Sequence, residues 1–262
     1  MDNAAALEST NWGMSTVMTH RAFGRHAGES LKAVSAEAIR LEELLSRFIP
    51  TSEIYRINSS AGIECVKISG DTYEVLSRAV EFSRYCRGLF DVTIGPLVTL
   101  WNCGKETLKP PEESRIRQVL PLVDYTGLIL DPREKTAGLR RKGQAIDLGG
   151  IGKGFTGDKF LEVFKKYGIS SAFTNIGGNV AVLGTKPDGS PWRVGIRHPR
   201  RENSLIGLVA VSDKAVVTSG DYQRYFMDCK GKMHHHILDP FTGCPAESGL
   251  ASVTVVADSS MT

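Results

Sequence analysis

The chain has 262 residues, 41% of them hydrophobic and 23% charged, with a net charge of +3. It is long enough to bury a core without staples, has no apolar run near the ~18 residues of a membrane span, and its small positive balance is no nucleic-acid footprint. Its five cysteines, Cys65, Cys86, Cys103, Cys229 and Cys244, are widely spaced and lack a C-x-x-C pair, which excludes a disulfide framework and a cysteine zinc site.

The opening Met1-Asp2-Asn3-Ala4 has neither a basic n-region nor an apolar h-region, so a cytoplasmic protein with reduced thiols is expected. After a polar start, Leu31, Val34, Ala38, Leu41, Leu45 and Phe48 recur at three- and four-residue steps and predict a helix ending near Pro50. Asp71 and Glu74 form a capping-box-like start to a second helix that runs on through Val75, Leu76, Ala79 and Val80 to Gly88. From Asp91 to Pro111 no period is sustained, and a long functional loop with a short strand is expected. Leu128-Ile129-Leu130 and Ala145-Ile146-Asp147 predict two strands. Phe160, Leu161, Val163 and Phe164 mark an amphipathic helix stopped by Gly168. Short strands follow at Ala172-Phe173, Val180–Val182 and Trp192–Ile196, and near 205–211, 215–218, 222–228, 234–238 and 250–256. The basic stretches Arg140-Arg141-Lys142 and Arg197–Arg201 are expected to be solvated turns. A helical first part and a strand-rich second part, without regular β-α alternation, give an α+β fold with mixed or antiparallel sheets and packed helices. The expected organisation is one domain with two lobes, about 14–125 and about 126–262.

Three clusters can carry chemistry. From Asp147 to Gly157, four glycines within 149–154 follow a strand and open a helix, with Lys153 among them. Such backbone can bring several N–H groups to an anion, although close helix packing would demand the same glycines. Gly152, Gly154 and Gly157 match G-x-G-x-x-G, but no acid stands about 20 residues on, near Thr174-Asn175, to hold a ribose hydroxyl, so the Rossmann assignment fails. The P-loop fails too, because Gly154 stands where a Ser or Thr would hold magnesium. In His234-His235-His236, alternation along a strand lets at most two rings join one site; His236, three residues before Asp239, is a candidate general base. Thr218-Ser219-Gly220-Asp221-Tyr222 is a strand entering a polar turn.

The clusters fall into a longer ordered series: Met14-Ser-Thr16, Leu44–Phe48, Gly88–Leu97, Asp147–Gly154, Asn175–Asn179, Trp192–Ile196, Thr218–Tyr222 and His236–Pro245. This order and spacing resemble the ApbE-type flavin transferases, the FAD:protein FMN transferases, over nearly the whole chain from Met14. The resemblance implies a T-fold-like architecture. It also implies cleavage of FAD with Mg2+, transfer of the FMN half to a Ser or Thr hydroxyl of an acceptor protein, and release of AMP. A non-catalytic FAD carrier and an FAD diphosphatase are the alternatives.

Position by position, the resemblance implies FAD contacts at Met14, Phe48, Leu89, Phe90, Asp91, Asp147, Lys153 and Leu238. It implies a backbone oxygen of Gly150 on the metal and a catalytic role for His236; removal of the nucleophile's proton could also fall to a nearby carboxylate such as Asp239. Ser15 stands where the family usually has Gly, and Ser259-Ser260-Met261-Thr262 where its acidic, alanine-rich helix begins. From this a truncated C-terminus with an incomplete metal half-site is expected. Relatives are often exported and lipid-anchored.

Overall fold

The computed structural model describes residues 6–101 and 109–261, so Cys103 lies outside the described residues. In chain order the elements are β1 (Leu7–Gly13), β2 (Thr16–Phe23), α1 (Ala27–Leu45), α2 (Glu53–Ser59), β3 (Val66–Lys67), α3 (Gly70–Tyr85), α4 (Gly95–Trp101), α5 (Glu113–Val119), β4 (Leu128–Asp131) and β5 (Thr136–Leu139). Then come α6 (Gly152–Lys166), β6 (Ser171–Ile176), β7 (Asn179–Leu183), β8 (Trp192–Arg197), β9 (Leu205–Val211), β10 (Ala215–Gly220), β11 (Tyr225–Met227), β12 (Met233–His235) and β13 (Ser252–Ala257). The fold is α+β with antiparallel pairing, as expected. Among the described residues no helix is long and apolar enough to cross a membrane.

Two compact units interleave along the chain, Met1–Glu42 with Ile151–Ser219 and Ser252–Thr262, and Glu43–Gly150 with Gly220–Ala251. The first, the sheet unit, is built on six strands in the order β1-β2-β6-β7-β10-β13. Pleating sends alternate residues to opposite faces. Met18, Ala22, Ala172, Ile176 and Leu183 therefore pack against Leu31, Val34 and Ala38 of α1 and Phe160 and Phe164 of α6. Val180, Val182 and Val216 pack instead on Trp192, Val194 and Val211 of the β8–β9 ribbon.

The second, helical unit holds the β3-β5-β4 sheet and the β11–β12 hairpin. Its described cluster joins Leu97, Trp101, Ile116 and Phe226, with Leu238 and Cys244 packed alongside. Serine hydroxyls start two of its helices, Ser52 accepting from Tyr55 N and Ser69 from Thr72 N.

Several expectations are corrected. The cap of α3 is Ser69, seated by the Glu53 carboxylate, and Asp71 lies inside the first turn. Among its described residues the Asp91–Pro111 stretch carries the helix α4 rather than a strand; Gly95-Pro96 resembles a turn, yet proline suits a first helical turn. Residues 102–108 of that stretch lie outside the described residues. Ala145 forms only an isolated bridge with Ile94, and the partner of β4 is β5. In β5 the alternation is broken by Gly138, where a β-carbon would stand 2.6 Å from Cys65 Sγ.

His20 marks the core of the sheet unit. Its Nδ1 meets Thr174 Oγ1 at 2.9 Å, its ring stands edge-on to Phe160, and buried Nε2 has no hydrogen-bond partner among the described residues. Burial lowers its pKa from 6.5 to about 4. The unfolded chain therefore takes up this proton first as pH falls. The imidazole's contribution is complete above pH 6.5 and is lost towards pH 4, a loss on the order of 3 kcal/mol. In urea unfolding, the His20→Gln variant should lose less stability than the parent between about pH 7 and about pH 4.5; equal losses would contradict this assignment.

Candidate functional site

In the sheet unit, two hairpin tips and the start of α6 come together. β1 and β2 pair up to Gly13↔Thr16, leaving Met14 and Ser15 as a two-residue turn at φ 50° and 59°. Both central residues at positive φ is the type I′ signature, which explains why glycine suits the position Ser15 fills. Glu42 Oε1 accepts the Met14 amide at 3.0 Å, and the Thr156 hydroxyl of α6 donates to Met14 Sδ at 3.4 Å. The β6–β7 tip, Gly177-Gly178, is bonded to β2 through Gly177 N and Val17 O. A β-carbon at Gly177 would lie 2.4 Å from Thr16 Oγ1, so this tip needs glycine for space as well as for φ.

Helix α6 begins at Gly152 behind Ile151, which makes no side-chain capping bond. Helix starts leave several amides without an intrahelical acceptor and carry the positive end of the helix dipole. Lys153 is half-buried in this first turn. Glycines further in serve a different purpose: a β-carbon at Gly154 would meet Ser260 O at 2.4 Å, and one at Gly157 would meet Ser260 Oγ at 3.1 Å. Part of the glycine pattern is thus a packing requirement.

In the helical unit, Asp147 is held on both carboxylate oxygens. Arg47 Nη1 donates to Oδ2 at 2.6 Å and the Gly149 amide to Oδ1 at 2.8 Å. The same guanidinium bonds Gly95 O at 3.3 Å and Thr99 Oγ1. Gly150 is exposed, and a β-carbon there would stand 2.9 Å from the Phe90 ring. Asp91 is buried and accepts from Thr93 N, Thr93 Oγ1 and Tyr125 N, so its carboxylate braces the loop from within. Phe90 is itself tied back, its amide donating to Cys86 Sγ at 3.1 Å. Phe48 and Leu89 are open to solvent, 72% and 68% exposed.

The histidine run is split. His234 is buried between Phe226 and Trp101, and its Nε2 donates to Asp228 Oδ2 at 2.9 Å. That bond, with the Lys232 and Lys230 amides, holds the Asp228 carboxyl down at about 2. His235 Nε2 faces Ala246 O. His236 Nδ1 faces Arg224 O at 3.1 Å. A carbonyl only accepts, so Nδ1 carries the hydrogen and the neutral ring has its lone pair on Nε2. Asp239 accepts the Phe241 amide within its own turn, and Leu238 bridges to Pro245.

Of the candidates, Met14 and Lys153 share the α6 end of the sheet unit, and Phe90 meets Gly150 in the helical unit. Arg47, Asp158 and Asn179 were not singled out from the sequence although they organise these surroundings. Arg47 and Asn179 at least fell within the ordered series, at Leu44–Phe48 and Asn175–Asn179; the Arg47 guanidinium lies 5.4 Å from the Phe48 ring centroid. Among the described residues no three or more His, Cys, Asp or Glu converge as a metal site.

The ApbE family model matches residues 12–262. The FAD:protein FMN transferase of Klebsiella pneumoniae (strain 342) is 35% identical over 223 residues, which are 85% of this chain and 68% of that protein. That of Treponema pallidum (strain Nichols) is 31% identical over 260 residues, 92% of this chain and 72% of that protein. The crystal structure of the ApbE protein from Thermotoga maritima MSB8 superposes with a TM-score of 0.91 at 28% identity, covering 98% of this chain and 83% of that one.

Removing Arg47 leaves a mostly buried carboxylate without its cation. Arg47→Ala should destabilise the protein by about 2–4 kcal/mol in urea unfolding, and Arg47→Lys by less, because the charge survives while the fork is lost. Equal, negligible losses would show that the pair does not hold this loop.

Proposed function

The chain belongs to the ApbE family, and on that premise we propose that it transfers the FMN moiety of FAD to an acceptor protein and releases AMP. A Ser or Thr hydroxyl of the acceptor attacks the FMN phosphorus, a new P–O bond forms, and the bond from that phosphorus to the AMP phosphate oxygen breaks. The hydroxyl proton passes to His236 Nε2, the ring nitrogen that carries the lone pair when Nδ1 donates to Arg224 O.

One observation supports this reading above the others: α6 starts on glycine without a side-chain cap and carries Lys153 in its first turn. Amides and an ammonium together suit a diphosphate, whose non-bridging oxygens need charge neutralised during transfer. Met14, joined to the same helix through Thr156, is assigned to the flavin. In the helical unit the exposed Phe48 and Leu89 supply apolar surface for the cofactor's rings, together with Phe90 and Leu238. Asp147 is assigned a polar contact, while Asp91, whose carboxylate accepts from Thr93 and from the Tyr125 amide, serves by holding Leu89 and Phe90 in place.

Mg2+ is the metal we assign. The Gly150 carbonyl and the substrate's phosphate oxygens are its proposed ligands, and when bound it would withdraw charge from those oxygens. The described residues supply no carboxylate cluster to complete a six-oxygen shell, and no step above depends on the ion.

The full-length protein, incubated with FAD, magnesium and an acceptor, should add the mass of FMN to the acceptor and release AMP. FMN and AMP without an adduct, or intact FAD, would overturn the transferase assignment. Lys153→Ala should weaken FAD by about 10-fold or more and leave riboflavin almost unaffected; equal loss for both ligands would remove Lys153 from the phosphates. His236→Ala should slow transfer by about 10²–10⁴ with FAD affinity nearly kept, and unchanged turnover would remove it from the mechanism.

A further inference from the structure

Asp158 stands on α6 and gathers the chain leaving β13. Its Oδ1 accepts the Ser260 amide at 2.7 Å; its Oδ2 accepts the Ser259 hydroxyl at 2.7 Å and the Met261 amide at 3.1 Å. The Met261 amide is also within 3.1 Å of Ser259 Oγ. Successive amides aimed at one carboxylate, with charge-assisted bonds, form a strong and directional anchor. Behind them, the buried Ser260 hydroxyl bonds the Oδ1 of buried Asn179 at the start of β7. The fit leaves no slack, since a β-carbon at Gly154 or Gly157 would run into Ser260.

The turns of α6 held in this way also carry Lys153 and the Thr156 hydroxyl bonded to Met14. We propose that Asp158 is a positioning residue for FMN transfer: it fastens residues 259–261 to the glycine face of α6 and so sets Lys153 and Met14 where FAD binds. This rests on the function proposed above. Asp158 itself touches neither substrate nor reacting atoms in this assignment, because the bonds from Ser259, Ser260 and Met261 turn its carboxylate towards the β13 exit.

The test combines hydrogen exchange with ligand binding in the full-length protein. In Asp158→Ala, amides 258–261 should lose protection by about tenfold or more, FAD affinity should fall about tenfold, and riboflavin affinity should stay within about twofold. Asp158→Asn, which keeps an acceptor oxygen, should fall between the parent and Asp158→Ala in both readouts. Unchanged exchange at 258–261 would show that Asp158 is no anchor. Lost protection with unchanged FAD affinity and transfer rate would reduce it to a structural contact. Should Asp158→Ala fail to fold, Gly157→Ala, whose added methyl crowds Ser260 Oγ, provides the milder displacement and should shift both readouts in the same direction. A parent protein that bound no FAD would sink the proposed function instead, and the exchange result would still decide whether the anchor exists.

Discussion

The face of α6 that carries Gly154 and Gly157 has no room for side chains. Gly154 and Gly157 let the Ser260 backbone and hydroxyl lie against the helix, and Asp158 holds that segment from the next position along. Interiors are packed too tightly to absorb an extra methyl group without movement. The helix start is therefore set by backbone packing on one side, and its first turn carries Lys153. Phe160 and Phe164, further along, sit in the cluster that packs the sheet, so the start of α6 is continuous with the packed core of its unit.

The helical unit follows the opposite arrangement. Several of its buried and half-buried polar groups are engaged: Arg47 with Asp147, Asp91 with Thr93 and Tyr125, His234 with Asp228. Among its exposed residues are two large apolar ones, Phe48 and Leu89, mostly in solvent. Large exposed side chains on a loop braced by buried carboxylates keep their positions without covering one another, as a surface for a flat aromatic ligand requires. Buried charges here are kept in place by hydrogen bonds on both oxygens, which offsets their desolvation.

The legibility of the sequence varied for physical reasons. β8 was readable because Trp192 and Val194 alternate with exposed residues where one face packs on the sheet. The β1–β2 hairpin was hidden, since β1 is an edge strand with a polar sequence and its turn residues, Met14 and Ser15, are not the usual ones for positive φ. The glycine-rich stretch from Gly149 was conspicuous, but its two demands, open amides at the start and close packing deeper in, look alike in sequence. Asp158 gave no sign, because an acid within an amphipathic helix resembles any solvated position until the segment it holds, about 100 residues on, is seen beside it. The histidine triplet was expected to split by pleating, and its members take three different partners.

A crystal structure of the full-length protein with FAD decides whether the start of α6 holds the diphosphate. Its oxygens should lie within about 2.7–3.2 Å of the backbone nitrogens at the start of α6 and of the Lys153 ammonium. A diphosphate bound away from that helix end, with those amides and Lys153 turned into the sheet unit's interior, would contradict it.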